Sequence, residues 1–302
     1  MPILGIIASA FKVAGLNMWI ICGNGDYGAN YSYSTDNGAT WTTGNFGGTQ
    51  NSIGTKFGAG VWSSHGSMGV RYSSNGTSWA AGSGSSGTYG MWFGGAIFIA
   101  NKSGNNTIAA SSTDGITWTA RTFAVAQDGQ GPSLAYGNGT FVASNGNLSS
   151  NTFNYSTNGT SWSSATVTST GTFYSCGFGN GAFVAARISS SNVATSSTDG
   201  ITWTARTLAN TGDHLCVAGS DTKIVVFNYA STNASQSTDS GATWSTTTLP
   251  SAGNWLISLY ANGYFMTAAA TGPGVATSPD GTTWTARTQS LSVGTTRNIG
   301  FG

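Results

Sequence analysis

The chain contains no glutamate, and charged residues of any kind are scarce. Among its 302 residues, 9 are acidic and 10 are Lys or Arg, so charged side chains make up only 6% and the net charge is +1. Soluble domains usually carry about 25% charged residues. Without a basic field, we expect no binding to nucleic acid or to an anionic membrane surface. Hydroxyl and amide groups must provide the solubility, a composition more common outside cells.

Cysteines, histidines and long apolar runs are also scarce. The three cysteines, Cys22, Cys176 and Cys216, lie far apart in apolar runs. This predicts buried free thiols and excludes a disulfide framework or zinc cluster. The two histidines, His65 and His214, are interpreted as a solvated loop residue and a strand-edge residue, so we expect no metal and no cofactor. No apolar run approaches the ~18 residues that span a bilayer, which predicts no membrane insertion.

Gly, Ser, Thr and Asn dominate the chain, and aromatic residues reach 12%. Disordered chains are poor in aromatic residues, whereas here the apolar residues recur in short regular groups. The absence of Glu and the scarcity of Lys disfavour helices. The composition therefore predicts an all-β protein with many tight turns.

A turn of the form Ser-x-Asp-x-Gly-x-x-Trp recurs seven times, with successive tryptophans 38 to 44 residues apart. Five of the copies are one residue shorter, and two carry Asn in place of Asp. The Asp side chain can bind backbone groups of the turn, Gly supplies a positive φ, and Trp can pack between neighbouring sheets. We therefore interpret the following residues as structural: Asp36, Asn75, Asp114, Asn158, Asp199, Asp239 and Asp280, with Trp41, Trp79, Trp118, Trp162, Trp203, Trp244 and Trp284.

A second element, a pair of short apolar strands around an Asn-Gly turn, precedes many of these turns, as in residues 133–143. Two hairpins give four strands, A to D, in about 40 residues, which is the size of a propeller blade. Seven copies predict a seven-bladed β-propeller over residues 16–302, with the recurring turn between strands C and D. Residues 297–302 match strand A and residues 16–21 match strand B, so we expect the C-terminal strand to complete the N-terminal blade and close the ring. Residues 1–15 form an N-terminal extension.

These turns, from residue 34 to residue 284, resemble the Asp-box repeats of bacterial neuraminidases. The resemblance implies a β-propeller. Members of the family include sialidases, other glycosidases, photosystem assembly factors, and phage and bacterial surface proteins. The resemblance to sialidases implies a site with three arginines, a Tyr–Glu pair and an Asp acid. This chain has no Glu, so the Tyr–Glu pair cannot form. Arg121, Arg206 and Arg287 follow the recurring Trp in Thr-Ala-Arg-Thr segments and are features of the repeat. The family therefore implies a fold and not a reaction.

The remaining acids offer little for catalysis. A glycosidase needs two carboxylates at a defined separation. Asp221 lies in a predicted A–B turn, and we interpret Asp26, Asp128 and Asp213 as solvated loop residues on the face opposite the recurring turns. We predict that the protein is not an enzyme, with a degenerate glycoside hydrolase as the alternative.

The loops opposite the recurring turns are the predicted binding surface, because functional residues concentrate on loops held by a rigid scaffold. Asn, Asp and Tyr side chains suit hydrogen bonding and ring stacking with sugars. We predict that Asp26, Tyr27, Lys102 and Tyr229 line a carbohydrate-binding face.

Residues 2–10 resemble the opening of tailed-phage tail-fibre and minor structural proteins, in which a Gly-Ile-Ile-Ala-Ser tract starts the chain. An apolar strand outside the propeller needs a partner, which is either its own ring or another protein. A cleaved signal peptide is disfavoured because no positive charge precedes the short apolar run. We expect a virion protein, a tail-fibre or baseplate propeller that contacts host-surface glycan and binds other virion proteins through residues 1–15. The alternative is a secreted or surface bacterial lectin or scaffold, and a homo-oligomer is left open.

Overall fold

A computed structural model describes residues 16–24, 31–47, 52–66, 69–84, 88–102, 104–128, 133–291 and 295–302. Within these ranges the chain forms strands and turns with no helix, so no described segment is a helix able to cross a membrane. The all-β prediction is confirmed. The strands form a β-propeller of six hydrogen-bonded sheets, which we number as blades I to VI.

Each blade is an antiparallel meander of neighbouring strands. Blade I contains β26 (Thr295–Phe301), β1 (Trp19–Asn24), β2 (Tyr31–Ser34) and β3 (Thr42–Gly44). Blade II contains β4 (Ser52–Gly58), β5 (Val61–Gly66), β6 (Gly69–Ser73) and β7 (Ala80–Ala81). Blade III contains β8 (Thr88–Gly94), β9 (Ile97–Lys102), β10 (Asn106–Ser112) and β11 (Thr119–Gln127). Blade IV contains β12 (Leu134–Gly137), β13 (Thr140–Ala143), β14 (Ser149–Ser156) and β15 (Ser163–Thr172).

Blade V contains β16 (Ser175–Gly179), β17 (Ala182–Ala186), β18 (Ser191–Ser197) and β19 (Thr204–Gly212). Blade VI contains six strands: β20 (His214–Gly219), β21 (Ile224–Ser237), β22 (Ser245–Ala261), β23 (Tyr264–Ala269), β24 (Gly274–Ser278) and β25 (Thr285–Thr288).

The prediction of a seven-bladed propeller is wrong, because the described strands form six sheets. The last two copies of the repeat share blade VI, since the long strand β22 belongs to both. Its first part pairs with β21 as far as Asn254, and the part that begins at Trp255 pairs with β23. A strand that ends one repeat therefore continues directly as the strand that begins the next.

The two repeats merge in blade VI at Asn254. Asn254 pairs with Tyr229 across the ladder, so the strand is not interrupted there. At the corresponding point of the preceding junction, the Asp213 carboxylate accepts the amides of Ser189 and Ser190 at 2.7 and 2.6 Å. Asp213 is paired in neither ladder, so β19 ends at Gly212 and β20 begins at His214.

Closure of the ring by the two chain ends is confirmed. β26 pairs antiparallel with β1, with Phe301 opposite Trp19 and Ile299 opposite Ile21. The Met18 amide also donates to the Gly302 carbonyl at 2.7 Å. The C-terminal strand thus covers the inner edge of blade I. Without it, the backbone groups of that edge would be exposed.

The recurring turns have the structural geometry expected from the sequence. In the turn around Asp199, the Ser197 hydroxyl donates to the carboxylate at 2.8 Å and accepts the Gly200 amide at 2.8 Å. The same carboxylate accepts the amides of Ile201 and Thr202, each at 2.8 Å. Gly200 has a φ of +77°, a conformation that favours glycine.

The tryptophans of these turns pack between neighbouring blades. The Trp203 ring on blade V lies 5.0 Å from the Phe153 ring on blade IV and 6.4 Å from the Phe183 ring on its own blade. Its indole nitrogen donates to the Gly200 carbonyl at 3.2 Å. The turn therefore fixes the ring that fills the space between two sheets.

The meander gives the propeller two unlike faces. The A–B hairpin turns and the recurring C–D turns share one face, which we call the repeat-turn face; the Asn138 amide on it donates to the Thr198 carbonyl of the next blade at 2.9 Å. The B–C and D–A connections lie on the opposite side, which we call the loop face.

Candidate functional site

The loop face carries the described residues of the predicted carbohydrate site, but it does not bring them together. Lys102 ends β9 on blade III, and Tyr229 lies on β21 of blade VI, so blades IV and V separate them along the chain. Tyr229 is 38% exposed, whereas Lys102 is half-buried. Asp26 and Tyr27 lie outside the described residues.

The loop-face acids hold the backbone in place. One Asp128 oxygen accepts the Gly104 amide at 2.7 Å, and Asp213 accepts two loop amides in the same way. Asp128 is buried and Asp213 is half-buried. The expectation of a solvated side chain is therefore wrong for Asp128, whereas Asp213 remains partly exposed while it binds the loop amides. Both carboxylates are engaged in shaping connections between strands.

The histidines are also buried rather than solvated. His65 lies on β5 with its ring 4.1 Å from the Trp118 ring, and burial lowers the pKa of His65 to about 3. His214 begins β20, and its Nε2 lies 2.8 Å from the Ser191 carbonyl oxygen. Burial likewise lowers the pKa of His214. In the part of the chain that the structure describes, no three His, Cys, Asp or Glu side chains form a group suited to a metal ion.

The arginines that follow the recurring tryptophans are structural. Arg121 and Arg206 each donate from Nε to a serine hydroxyl on the neighbouring strand at 2.8 Å. Arg287 makes the same contact with the Thr277 hydroxyl at 3.4 Å. These three guanidinium groups lie on separate blades in equivalent positions, as expected of repeat features.

The inner strands hold a buried cation. The Lys56 ammonium on β4 donates to the Ile299 carbonyl of blade I at 2.5 Å and lies 4.8 Å from the centre of the Trp92 ring of blade III. Burial lowers the pKa of Lys56 to about 8. The side chain thus links the inner strands of three blades.

A tyrosine at the loop-face end of the inner strands does not suit nucleophilic chemistry. Burial raises the pKa of Tyr174 to about 12, although the charge of Arg297 opposes that rise. At neutral pH the hydroxyl therefore stays protonated.

An open crevice lies beside Tyr229 on blade VI. Its volume is about 400 Å³, and its walls are residues 251–255, residues 271–274, Ala230 and Ala269. Tyr229 pairs directly with the wall residue Asn254 across the β21–β22 ladder. Cross-strand partners project their side chains to the same face of a sheet, about 5 Å apart at Cβ. The exposed Tyr229 therefore adjoins two residues of the crevice wall, Asn254 and Ala230.

The sequence singled out Tyr229, which is next to the crevice residue Ala230, but it did not predict the crevice. Its local signal is the run of small residues from 268 to 274, Ala-Ala-Ala-Thr-Gly-Pro-Gly, where the other repeats carry larger side chains. Such a run indicates an open space once the fold is known. Asn254 carries no signal of its own.

The likeness to known proteins lies in the fold. No family model matches the chain, and no curated protein matches it. Similar solved structures include YCF48 bound to a D1 peptide, with 15% identity over 83% of this chain and 87% of that chain and a TM-score of 0.63. Virginiamycin B lyase from Staphylococcus aureus is 9% identical over 80% of this chain and 85% of that chain, with a TM-score of 0.61. A nidogen/laminin complex is 8% identical over 94% of this chain and 97% of that chain, with a TM-score of 0.55. At these identities the chain shares a β-propeller fold with proteins of unlike activities, so its function must be argued from its own residues.

Proposed function

We propose that this protein is a non-enzymatic virion propeller whose loop face binds host-surface glycan. The observation that carries the proposal is the exposed Tyr229 ring beside Asn254 and an open crevice. Aromatic rings with one apolar face and one polar end suit surfaces that recognise amphipathic ligands. A sugar ring offers apolar C–H faces for stacking and hydroxyls for an amide to bind.

The acids of the loop face support binding without turnover. Asp128 and Asp213 are engaged with backbone amides, and the chain has no Glu to form a carboxylate pair with them. Hydrolysis of a glycoside requires one protonated and one ionised carboxyl group at a fixed separation. We therefore expect no release of product when sialosides or bacterial polysaccharides are incubated with the protein.

The binding claim is tested on a glycan array. We expect Tyr229→Ala to weaken binding to the best ligand at least about tenfold, which corresponds to ~1.4 kcal/mol. Ile201→Ala is the matched control, because Ile201 is 42% exposed but lies in a recurring turn on the opposite face. Equal binding by wild type and Tyr229→Ala would refute the role of the ring. Lys102→Ala tests whether the surface extends to blade III.

The virion claim depends on the N-terminal tract and its resemblance to tail proteins. We infer that residues 1–15 dock on other virion proteins, because the apolar sequence of residues 2–10 favours burial against a partner. Mass spectrometry of purified virions should detect the protein. Deletion of residues 1–13 should leave a folded propeller that fails to assemble, whereas normal assembly would refute the anchor. A glycan-binding protein absent from virions would be a secreted lectin instead.

A further inference from the structure

Four successive outer strands contain the same irregularity, which in blade III runs from the buried Phe123 to Gln127 and in blades IV to VI ends at a glycine. The ladder of blade IV skips four residues between Gly171 and Thr166, and equivalent skips end at Gly212 on blade V and Gly253 on blade VI. The skipped segments therefore bulge out of the sheet. The bulges of blades IV to VI each begin with a buried apolar residue: Val167, Leu208 and Leu249.

Backbone hydrogen bonds after each bulge identify equivalent positions in the following loops. The Thr172 carbonyl accepts the Ile188 amide at 3.0 Å, and the Asp213 carbonyl accepts the Tyr229 amide at 2.8 Å. The third bond of this kind joins the Asn254 carbonyl to the Ala270 amide at 2.7 Å. Ile188, Tyr229 and Ala270 thus occupy one position in three copies of the same crevice.

Large side chains fill the first two crevices. A Cβ atom placed on Gly171 would lie 2.6 Å from the Arg187 Nε, which shows that the arginine covers this glycine. A Cβ atom on Gly212 would lie 2.8 Å from the Asn228 Nδ2.

In the third copy the equivalent glycine, Gly253, is also covered, since a Cβ atom on it would lie 2.7 Å from the Trp255 ring, but the residues around the opening of the crevice are small. Ala269 and Ala270 stand where the other copies carry Arg187 with Ile188 and Asn228 with Tyr229. A Cβ atom on Gly272 would meet nothing within 4 Å, and one on Gly274 would meet only the Ala269 Cβ at 3.7 Å. The resulting volume of about 400 Å³ falls within the range of small-molecule sites.

The walls of the open crevice are uncharged. Ser251, Asn254 and Thr271 supply hydroxyl and amide groups, and no Asp, Lys, Arg or His contributes to the lining. The Asn254 amide makes only a long 3.5 Å contact with the Thr271 hydroxyl. The Trp255 indole nitrogen is engaged with the Ser231 carbonyl at 3.0 Å and closes the base. A charged ligand would find no counter-charge here, whereas a polyhydroxylated neutral ligand would find donors and acceptors.

We propose that the crevice of blade VI is the subsite for one neutral sugar ring, with Asn254, Thr271 and Ser251 binding hydroxyls and Tyr229 contacting the exposed edge of the ring. The proposal rests on the proposed glycan-binding function and gives it a location and a ligand class. Acidic sugars are excluded from this subsite.

The test fills the crevice without strain. Gly274 has room for a side chain, so Gly274→Leu should occupy the space and reduce binding of neutral methyl glycosides at least tenfold. The probes are the methyl α-pyranosides of glucose, galactose and mannose, with N-acetylglucosamine and galacturonic acid, measured by saturation-transfer NMR and calorimetry. Asn233→Leu is the matched control, because Asn233 is exposed and holds the same place in the preceding repeat, four residues before the serine of the recurring turn. It should bind as the wild type does.

The outcomes distinguish failure of the neutral-sugar subsite from failure of the proposed glycan-binding function. Equal binding by wild type and Gly274→Leu would overturn the subsite while leaving glycan binding intact. Preference for galacturonic acid over every neutral probe would overturn the ligand class. Failure of the wild type to bind any glycan would refute the proposed function and the subsite with it. If Gly274→Leu melts far below the wild type, Asn254→Ala and Thr271→Ala provide the same comparison, and undiminished binding by both would overturn the proposal.

Discussion

The Ser197 hydroxyl is the buried centre of one recurring turn, and its removal should destabilise the propeller without affecting the loop face. The hydroxyl is the acceptor for the Gly200 amide and the donor to Asp199, both at 2.8 Å. The side chain is only 4% exposed. Ser197→Ala leaves this amide without its acceptor in a place that water does not reach easily.

The magnitude follows from the unsatisfied amide. A buried donor without a partner costs about 1–3 kcal/mol. At ~2.1 cal/mol/K of unfolding entropy per residue, a chain of 302 residues should lose about 2–5 °C in melting temperature. Calorimetric melting measures this shift. Ser161→Ala is the control, since Ser161 lies in another recurring turn with an exposed side chain and should melt as the wild type does.

Two results would refute the structural interpretation of the turn. The first is a melting temperature for Ser197→Ala equal to that of the wild type. The second is a loss of glycan binding by Ser197→Ala at an unchanged melting temperature, which would place function in the recurring turns instead of the loop face.

Further perturbations concern charge and ring closure. The Thr243 hydroxyl and amide lower the pKa of Asp239 from 3.8 to about 2, so its contribution to stability is complete above pH 3.8 and is lost as the pH falls toward 2. Asp239→Asn should therefore differ from the wild type in melting temperature at pH 6 and differ less at pH 2. Burial lowers the pKa of Lys56 from 10.5 to about 8, so the unfolded chain keeps the proton over that interval and stability rises with pH between 8 and 10.5. Lys56→Met should lack this rise in a melting series. Deletion of residues 295–302 uncovers the edge of β1, and we expect loss of the single melting transition and aggregation in size-exclusion chromatography; a stable monomer would contradict the role of β26 in closure.

Much of the fold could be predicted because the recurring turn has a local cause. Its Ser, Asp, Gly and Trp each perform a task within a few residues, so the motif indicates a four-stranded unit wherever it occurs. The position of residues 297–302 in an inner strand could also be predicted, because their sequence matches strand A of the other repeats. Both predictions concern pairings that the sequence pattern encodes directly.

The blade count could not be predicted in this way. The strand is continuous where Asn254 pairs with Tyr229, and it is broken at Asp213, which pairs in neither neighbouring ladder. Asp and Asn at the same position look interchangeable in sequence. Only the arrangement of the neighbouring loop decides between a broken and a continuous strand.

The site was predictable only in outline. The loop face follows from topology, whereas the crevice is lined by small residues such as Ala269, whose equivalents in the two preceding repeats are Arg187 and Asn228. The burial of His65 and Asp128 was missed for a related reason: their partners, the Trp118 ring and the Gly104 amide, come from distant parts of the chain.

The most direct measurement is a crystal structure of the protein with the neutral methyl glycoside that binds best. We expect the sugar ring in the crevice of blade VI, with hydroxyls bound by Asn254 and Thr271 and one edge against Tyr229. A sugar bound on the repeat-turn face or among the inner strands near Lys56, with the crevice empty, would contradict the account.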